Sequence, residues 1–299
     1  MNQFDAGVNL ADDQLDGPLL VEGPTGEGYV TVLKANGTYI SVRDQIMEHA
    51  RDAKMSGVLL LSKEPKHWRE NLGYCDTYTH PTFSVRTTIG IHPKNVYHAF
   101  DRQNPEQIYD PNFEIMRKMA RDPRVSAIGI TGLDYSKNDA SRQKKVLIRH
   151  VEIAVEVGKP LVFFVRGEGA HEDFMDVMTP LKRQYPELQG VIHCFTDSPE
   201  HLRDYLNLDL YIGITGWLTQ NWRNHDLRRS IRQLPMDRVI FATDTPYLCP
   251  PLYKEDFDVE RSQPDAIGYI CARFAREKRM DYQQVAYQVL KNTQRLFQL

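Results

Sequence analysis

The sequence predicts an α/β fold in which eight parallel strands close into one (β/α)8 barrel of the TIM type. Two observations support this: short apolar runs alternate with longer amphipathic segments along nearly the whole chain, and eight such runs can be counted. Strands buried on both faces give continuous apolar runs, and eight strand–helix repeats favour a closed barrel. With 299 residues, the chain is expected to form a single domain over residues 1–299.

The predicted strands are short, and segments with helical periodicity separate them. In chain order the strands are Phe4–Val8, Val58–Leu61, Phe83–Ile89, Val125–Gly129, Leu161–Val165, Val191–His193, Leu210–Ile214 and Val239–Ala242. Apolar residues three and four positions apart, as in helices that cover a sheet, occur in Asp44–Met55, Gln143–Val157, Glu172–Gln184 and His225–Leu234. The C-terminal stretch predicts two further helices, the second at Tyr282–Phe297.

One segment after the first strand interrupts this pattern. Residues 29–34 and 38–42 are typical of strands, and they flank Asn36 and Gly37, a dipeptide that favours the tight turn of a β-hairpin. The sequence therefore predicts an inserted hairpin at about residues 17–42, on the face where such barrels keep their active sites. A lid, a surface for a protein partner and a neutral insertion are all compatible with this position.

The composition excludes several classes of protein. A net charge of −3 means that any binding of DNA or RNA must depend on a local patch. The four cysteines form no C-x-x-C pair, which favours reduced thiols over a disulfide framework or a zinc ribbon. No window reaches the roughly 18 to 20 apolar residues of a membrane span, and no targeting segment is recognisable. A cytoplasmic protein without a membrane partner is expected, with the nucleus and the mitochondrion left open.

Basic residues recur in three short runs. These are Arg117–Lys118, Arg142–Lys145 and Arg228–Arg232, and the last lies near Trp217 and Trp222 in the sequence. Such groups would follow the backbone of a nucleic acid while the aromatic rings stack on its bases. The alternative is that each run is the solvated outer face of a barrel helix.

Polar residues follow several of the predicted strands, at the end of the barrel where chemistry is found. His193 and Asp244 form the best pair of metal-ligand type, an imidazole and a carboxylate in one barrel mouth. Taken singly, such a residue more often caps a helix or satisfies a buried backbone group than binds a metal. Polar residues after the other strands are His92, Asp134, Arg166 and Thr215.

Six ordered sequence blocks support a family resemblance. They are Gly90–Pro93, Ala127–Gly129, Gly132–Asp134, His193–Thr196, Tyr211–Gly216 and Thr243–Leu248, and they follow an opening block at Phe4–Leu10. In order and spacing the chain resembles the TatD family of metal-dependent deoxyribonucleases over nearly its whole length apart from the inserted segment. The resemblance implies a barrel and an ancestor that cut nucleic acid with a divalent metal.

The same resemblance shows where this sequence departs from the family. At two of the four implied ligand positions Ile130 replaces a glutamate and Phe164 replaces a histidine, so only His193 and Asp244 keep ligand chemistry. A hard divalent ion needs several oxygen or nitrogen ligands, and hydrocarbon side chains supply none. Loss of two ligands argues against a two-metal centre.

A rebuilt mononuclear site is the alternative. Glu168 lies on a glycine-flanked loop that is two residues longer than the family's usual pattern. If Glu168 turned inward, it would join His92, His193 and Asp244 in a site for Mg²⁺, Mn²⁺ or Zn²⁺, with Asp244 as the catalytic residue. A glutamate on an exposed loop is more often simply solvated.

Three functions follow from these observations. The first is a TatD-derived barrel that is catalytically dead or impaired, a pseudoenzyme that binds a nucleic acid, a ligand or a protein partner. The second is an active metal-dependent nuclease with the rearranged site. The third is a metal-independent hydrolase or binding protein for a small phosphate compound, held by Asp134, Arg166 and Thr215, although Arg166 also fits a structural ion pair. The two lost ligands favour the first.

Overall fold

Eight parallel strands form one sheet whose spatial order follows the chain. The computed structural model describes residues 3–16, 20–22, 29–31, 40–104, 106–136, 139–220, 225–257 and 259–299. Within these residues the strands are β1 (Phe4–Val8), β2 (Leu20–Glu22), β3 (Tyr29–Thr31), β4 (Gly57–Leu60), β5 (Ser84–Ile89), β6 (Val125–Asp134), β7 (Leu161–Arg166), β8 (Gly190–Ile192), β9 (Tyr211–Ile214) and β10 (Val239–Phe241). The large sheet has the order β1-β4-β5-β6-β7-β8-β9-β10.

The first and last strands of this sheet meet along a seam that closes the barrel. Val8 forms a parallel bridge with Thr245, just beyond β10. The backbone N–H of Asp244 donates to the carbonyl oxygen of Gly7 at 2.9 Å, and that of Asn9 donates to the carbonyl oxygen of Thr245 at 2.8 Å. The predicted (β/α)8 barrel is therefore confirmed.

Helices cover the outer face of the sheet. They are α1 (Val42–Asp52), α2 (Pro65–Tyr78), α3 (Asp110–Met119), α4 (Ala140–Val157), α5 (Ala170–Gln184), α6 (Pro199–Asn207), α7 (His225–Gln233), α8 (Pro251–Phe257), α9 (Ile267–Lys278) and α10 (Tyr282–Phe297). The helices predicted from periodicity are confirmed, with ends shifted by a few residues. None of the helices in the described ranges is long and apolar enough to cross a membrane.

The alternation of side chains along each strand divides the apolar core into two layers. Residues two apart share a face, so one set fills the barrel and the other packs under the helices. The inner cluster that fills the barrel consists of Phe4, Ala6, Leu59, Leu61, Ala127, Ile130, Val162, Val191, Tyr211, Ile240, Leu296 and Phe297. Val58 and Leu60, in the alternate positions of β4, belong to the outer cluster. Each such fully buried side chain stabilises the fold by about 1.5–3 kcal/mol, which makes the strand ends a firm support for a site.

The segment after β1 contains a pair of antiparallel strands, β2 and β3, in which Leu20 is opposite Thr31. The predicted turn at Asn36 and Gly37 lies outside the described residues. The end of the predicted second hairpin strand is wrong, because Val42 begins α1. A capping box sets this start: the Ser41 side chain accepts from the backbone N–H of Asp44, and the Asp44 side chain accepts from that of Ser41.

Strand β6 continues well past the predicted end at Gly129. Its upper half pairs with β7 as far as Asp134 opposite Arg166. The register shifts on the way, since Gly129 is opposite Val162 and Thr131 is opposite the very next residue of β7. Ile130 is therefore the extra residue of a bulge, a feature that turns side chains at a barrel rim.

Candidate active site in the barrel mouth

Two of the residues singled out in the sequence, His193 and Phe164, face into the barrel mouth. His193 follows Val191 by two residues, and Phe164 follows Val162 by two, so both continue the inner face of their strands. His193 is 4% exposed. The absence of a side chain at Gly7 makes room for its ring, because a Cβ there would lie 2.9 Å from the His193 Cε1 atom.

His193 and Asp244 lie together, as expected of residues in one barrel mouth. The His193 Nε2 atom is 3.5 Å from the Asp244 Oδ1 atom. The same Oδ1 atom accepts a hydrogen bond from the Asn9 Nδ2 atom at 2.9 Å. Although burial acts to raise it, these contacts with His193 and Asn9 hold the pKa of Asp244 below its usual value. Asp244 is therefore an ionised carboxylate that is already engaged by two neighbours.

Asp5 lies beneath this pair, fully buried on the seam. Its carboxylate accepts hydrogen bonds from the backbone N–H of Gly7 at 3.0 Å and of Thr243 at 2.9 Å, and from the Thr243 hydroxyl. Burial outweighs these hydrogen bonds and raises the pKa of Asp5 to about 7. Asp5 therefore ties β1 to the end of β10 by the two hydrogen bonds from Thr243, and the third, from Gly7, stays within β1.

The opposite side of the mouth is apolar. Ile130, on the bulge of β6, is 3% exposed and belongs to the inner cluster. Phe164, at the end of β7, packs against the same cluster, and its ring centroid is 5.0 Å from that of His92. Two of the four implied ligand positions therefore form a hydrocarbon wall.

His92 faces this wall as a neutral imidazole. Its Nδ1 atom accepts a hydrogen bond from the backbone N–H of Lys94 at 3.1 Å. Burial, reinforced by the nearby Lys63 ammonium, lowers the pKa of His92 to about 3. The ring is oriented by the start of the 3₁₀ helix Pro93–Ala99, for which it is the N-cap.

Two lysines line the mouth beside His92. The Lys94 Nζ atom is 3.4 Å from the Oδ2 atom of Asp134, a carboxylate that is fully buried and whose Oδ1 atom accepts from the Ser136 hydroxyl at 2.6 Å. The Lys63 Nζ atom is 3.1 Å from an oxygen of Asp12. The ammonium groups of Lys63 and Lys94 are therefore paired with carboxylates on this side of the mouth.

The remaining predicted residues have mixed positions. Thr215 is fully buried and its hydroxyl lies 3.3 Å from the Cys194 sulfur. Arg166 and Glu168 are exposed, Arg166 at the end of β7 and Glu168 on the loop before α5. The structure thus brings His193, Asp244 and His92 into the mouth and leaves Glu168 at the surface.

Four further residues belong to the site and are not among the sequence candidates. They are Asp5, Asn9, Lys63 and Lys94. The rule of reading the residues just after each strand, when applied to β4, finds Lys63 two positions beyond Leu61. An acidic residue inside an apolar strand was the available signal for Asp5.

The donor atoms of the mouth do not fit a divalent metal centre. In the described part of the chain, no group of three or more His, Cys, Asp and Glu side chains is gathered closely enough to hold an ion. Two carboxylates that could offset an ion's charge are paired instead with ammonium groups, Asp134 with Lys94 and Asp12 with Lys63. A hard cation would gain too few ligands here to offset its dehydration.

Ion pairs occupy much of the three basic runs. Arg117 binds Glu114 and Glu156 on the outer helices, and Lys144 lies 3.1 Å from Asp173. Members of the third run pair in the same way: Arg228 and Arg232 contact Glu277, and Arg229 contacts Asp226. Trp222 lies outside the described residues. These pairs support the interpretation of the runs as solvated helix faces.

The closed barrel, with polar side chains at the carboxyl ends of its strands, is of the TIM type. A crystal structure of a TatD family hydrolase from Entamoeba histolytica superposes with a TM-score of 0.77 and 21% identity, covering 99% of this chain and 98% of that chain. An uncharacterized amidohydrolase from Saccharomyces cerevisiae superposes with the same TM-score at 18% identity, covering 99% and 100%. These likenesses show the fold.

The family follows from the sequence itself. The family model for TatD related DNase matches residues 4–298, and the chain belongs to that family. The 3′-5′ ssDNA/RNA exonuclease TatD of Erwinia tasmaniensis is 29% identical over 297 residues, 99% of this chain and 100% of the relative. The protein of the same name from a Rahnella species is 30% identical over 299 residues, covering 99% and 98%. The resemblance inferred from the six blocks is confirmed.

Proposed function

We propose that this protein is a catalytically dead or strongly impaired member of the TatD nuclease lineage, and that it binds single-stranded nucleic acid without cutting it. The observation that carries the proposal is the hydrocarbon wall of Ile130 and Phe164 at two of the four implied ligand positions. Metal-assisted hydrolysis needs an ion to polarise the phosphate and activate a water. An apolar wall raises the cost of placing a poorly coordinated ion in the mouth.

The binding part of the proposal is supported by the relatives and by charge. The similar proteins from Erwinia and Rahnella are named ssDNA/RNA exonucleases. Lys63, Lys94 and Arg166 lie at strand ends around the mouth, where ammonium and guanidinium groups attract phosphate. The side chains of Lys63 and Lys94 are partly exposed and each ammonium group has three N–H donors, so each can bind a phosphate oxygen while it keeps its carboxylate partner.

The test combines an activity assay with a binding assay. Purified protein is incubated with labelled single-stranded DNA and Mg²⁺ or Mn²⁺, beside an Asp244→Asn variant that retains an oxygen for Asn9. We expect equal, background-level cleavage by both, and equal binding of the strand in EDTA and in Mg²⁺ when binding is measured by fluorescence anisotropy.

The contrary result is equally clear. Metal-dependent cleavage by the wild type that disappears in Asp244→Asn would show a working nuclease with a rearranged mononuclear site. In that case Glu168 is the first residue to substitute. Failure of the folded protein to bind the strand would overturn the binding part.

A further inference from the structure

A groove opens beside the barrel mouth, along the segment that follows His92. It has a volume of about 720 Å³, and the aromatic and cationic residues in its lining are Tyr97, His98, Phe100, Arg102, Tyr109 and Arg142. Tyr97 is 59% exposed and Tyr109 is 40% exposed. More than a third of the surface of each of these two tyrosines is therefore accessible to a ligand.

The walls of the groove are held in place by their own contacts. The Tyr97 ring lies 4.2 Å from the His98 ring, which in turn is fixed by a 2.8 Å hydrogen bond to Glu64. Phe100 is 5% exposed and forms the floor, with the Arg142 guanidinium 5.4 Å from its ring centroid. A groove built in this way is largely formed before any ligand arrives.

The chemistry of the lining selects for a flat, π-rich ligand with an anion attached. Tyrosine faces and a guanidinium plane stack on nucleobases, and the same cations attract the flanking phosphate. Among the described residues, the ionic partners of Arg142 are the surface carboxylates Glu106 at 3.3 Å and Asp139 at 3.5 Å, and such pairs are weak.

One segment of the chain links the groove to the site in the mouth. The 3₁₀ helix Pro93–Ala99 begins at His92 and carries Lys94 over Asp134 in the mouth. Three residues further along the same segment, Tyr97 lies in the groove. One strand could thus place a phosphate near Lys94 and an adjacent base against Tyr97.

We propose that this groove, defined by Tyr97, Tyr109 and Arg142 over Phe100, is a base-stacking subsite that receives an unpaired nucleobase of a single-stranded nucleic acid. The inference rests on the proposed function, and it names how the strand is recognised. A duplex keeps its bases stacked inside the helix, so the subsite would favour single strands.

The test is a double-mutant cycle that combines variants of the protein with variants of the DNA strand. The variants are Tyr97→Ala with Tyr109→Ala, and the matched control is Tyr287→Ala, a tyrosine on α10 that is 60% exposed and has Lys291 4.5 Å from its ring centroid. The probes are a fluorescent single-stranded DNA and an otherwise identical strand with abasic sites, both measured by anisotropy in EDTA.

We expect the double variant to bind the normal strand about 10- to 100-fold more weakly, as loss of base stacking predicts. The abasic strand should bind the wild type and the double variant equally, because it has no base to stack. Tyr287→Ala should match the wild type. Circular dichroism shows whether the variants fold, and no loss is expected since both rings are exposed.

Two results would overturn the subsite. One is unchanged affinity of the double variant for the normal strand, and the other is an equal loss for normal and abasic strands. Because binding is measured in EDTA, metal-dependent cleavage by the wild type would refute the impaired-nuclease proposal while leaving this measurement valid. If the wild type binds neither strand, both proposals fail.

Discussion

The two halves of the barrel mouth differ in kind. On the side of β8 and β10, His193 and Asp244 are polar, in contact and engaged by Asn9. On the side of β6 and β7, Ile130 and Phe164 are packed into the inner apolar cluster. Two of the four implied ligand positions therefore hold residues that can bind a metal, and the other two hold hydrocarbon side chains.

The seam explains this difference. Asp244 and Asn9 lie where β1 meets the end of β10, and their backbone and side-chain hydrogen bonds close the barrel. Ile130 and Phe164 lie away from the seam, on β6 and β7, and their side chains contribute to the fold by packing on the inner apolar cluster. Asp244 in the barrel mouth is thus weak evidence for a metal, because its contacts with Asn9 and Gly7 give it a structural role at the seam.

The largest expected effect tests the structural role of the seam. Asp5→Ala leaves the N–H of Gly7 and both the N–H and the hydroxyl of Thr243 without this acceptor. Buried unsatisfied groups cost about 1–3 kcal/mol each, so the free energy of unfolding should fall by roughly 3–6 kcal/mol in urea denaturation. Asp13→Ala, at a carboxylate with 77% side-chain exposure, is the control and should change it by less than about 0.5 kcal/mol. Equal stability of the Asp5 variant would refute this role.

The second prediction concerns a variant in which metal ligands are restored on the apolar side of the barrel mouth. Ile130→Glu combined with Phe164→His adds two ligands to His193 and Asp244, and we expect Mn²⁺ to bind at least about 10- to 100-fold tighter by calorimetry. Without metal, the buried glutamate should lower the free energy of unfolding by about 1–3 kcal/mol. The matched control, Ile130→Gln with Phe164→Tyr, adds polar atoms without the same donor set. An unchanged affinity in the rebuilt variant would mean that the mouth lacks the geometry of a metal site.

The pH dependence of the free energy of unfolding should reveal the raised pKa of Asp5. Its pKa is about 7 in the fold and 3.8 in the unfolded chain, so the folded state holds the proton more tightly. Its contribution is fully present below pH 4 and is lost as the pH rises through 7. Between pH 5 and pH 8 the wild type should lose on the order of 2 kcal/mol relative to Asp5→Asn, measured as the difference between their thermal unfolding curves. Parallel curves would place the pKa of Asp5 near its ordinary value.

The sequence predicts the scaffold better than the details of the site, and the reason is physical. Apolar runs and helical periodicity report burial, which is repeated at every strand of the barrel. The role of Asp5 depends on Thr243, more than two hundred residues away, so no local pattern contains it. The bulge at Ile130 and the pairing of Lys63 with Asp12 likewise appear only when distant segments meet. The inserted segment shows the reverse case, since a local capping box at Ser41 overrides the strand-like composition before it.

The smallest expected effect separates the impaired nuclease from the rebuilt mononuclear site. Glu168 is exposed, so Glu168→Gln should leave the free energy of unfolding within about 0.5 kcal/mol and the affinity for Mn²⁺ unchanged. Glu172→Gln, at a carboxylate four residues further on in the first turn of α5, is the matched control for loss of one charge. If Glu168→Gln alone weakened metal binding about tenfold or more, the loop would have to turn inward to supply a ligand. The mouth would then hold a third donor beside His193 and Asp244, and its apolar half would no longer argue against catalysis.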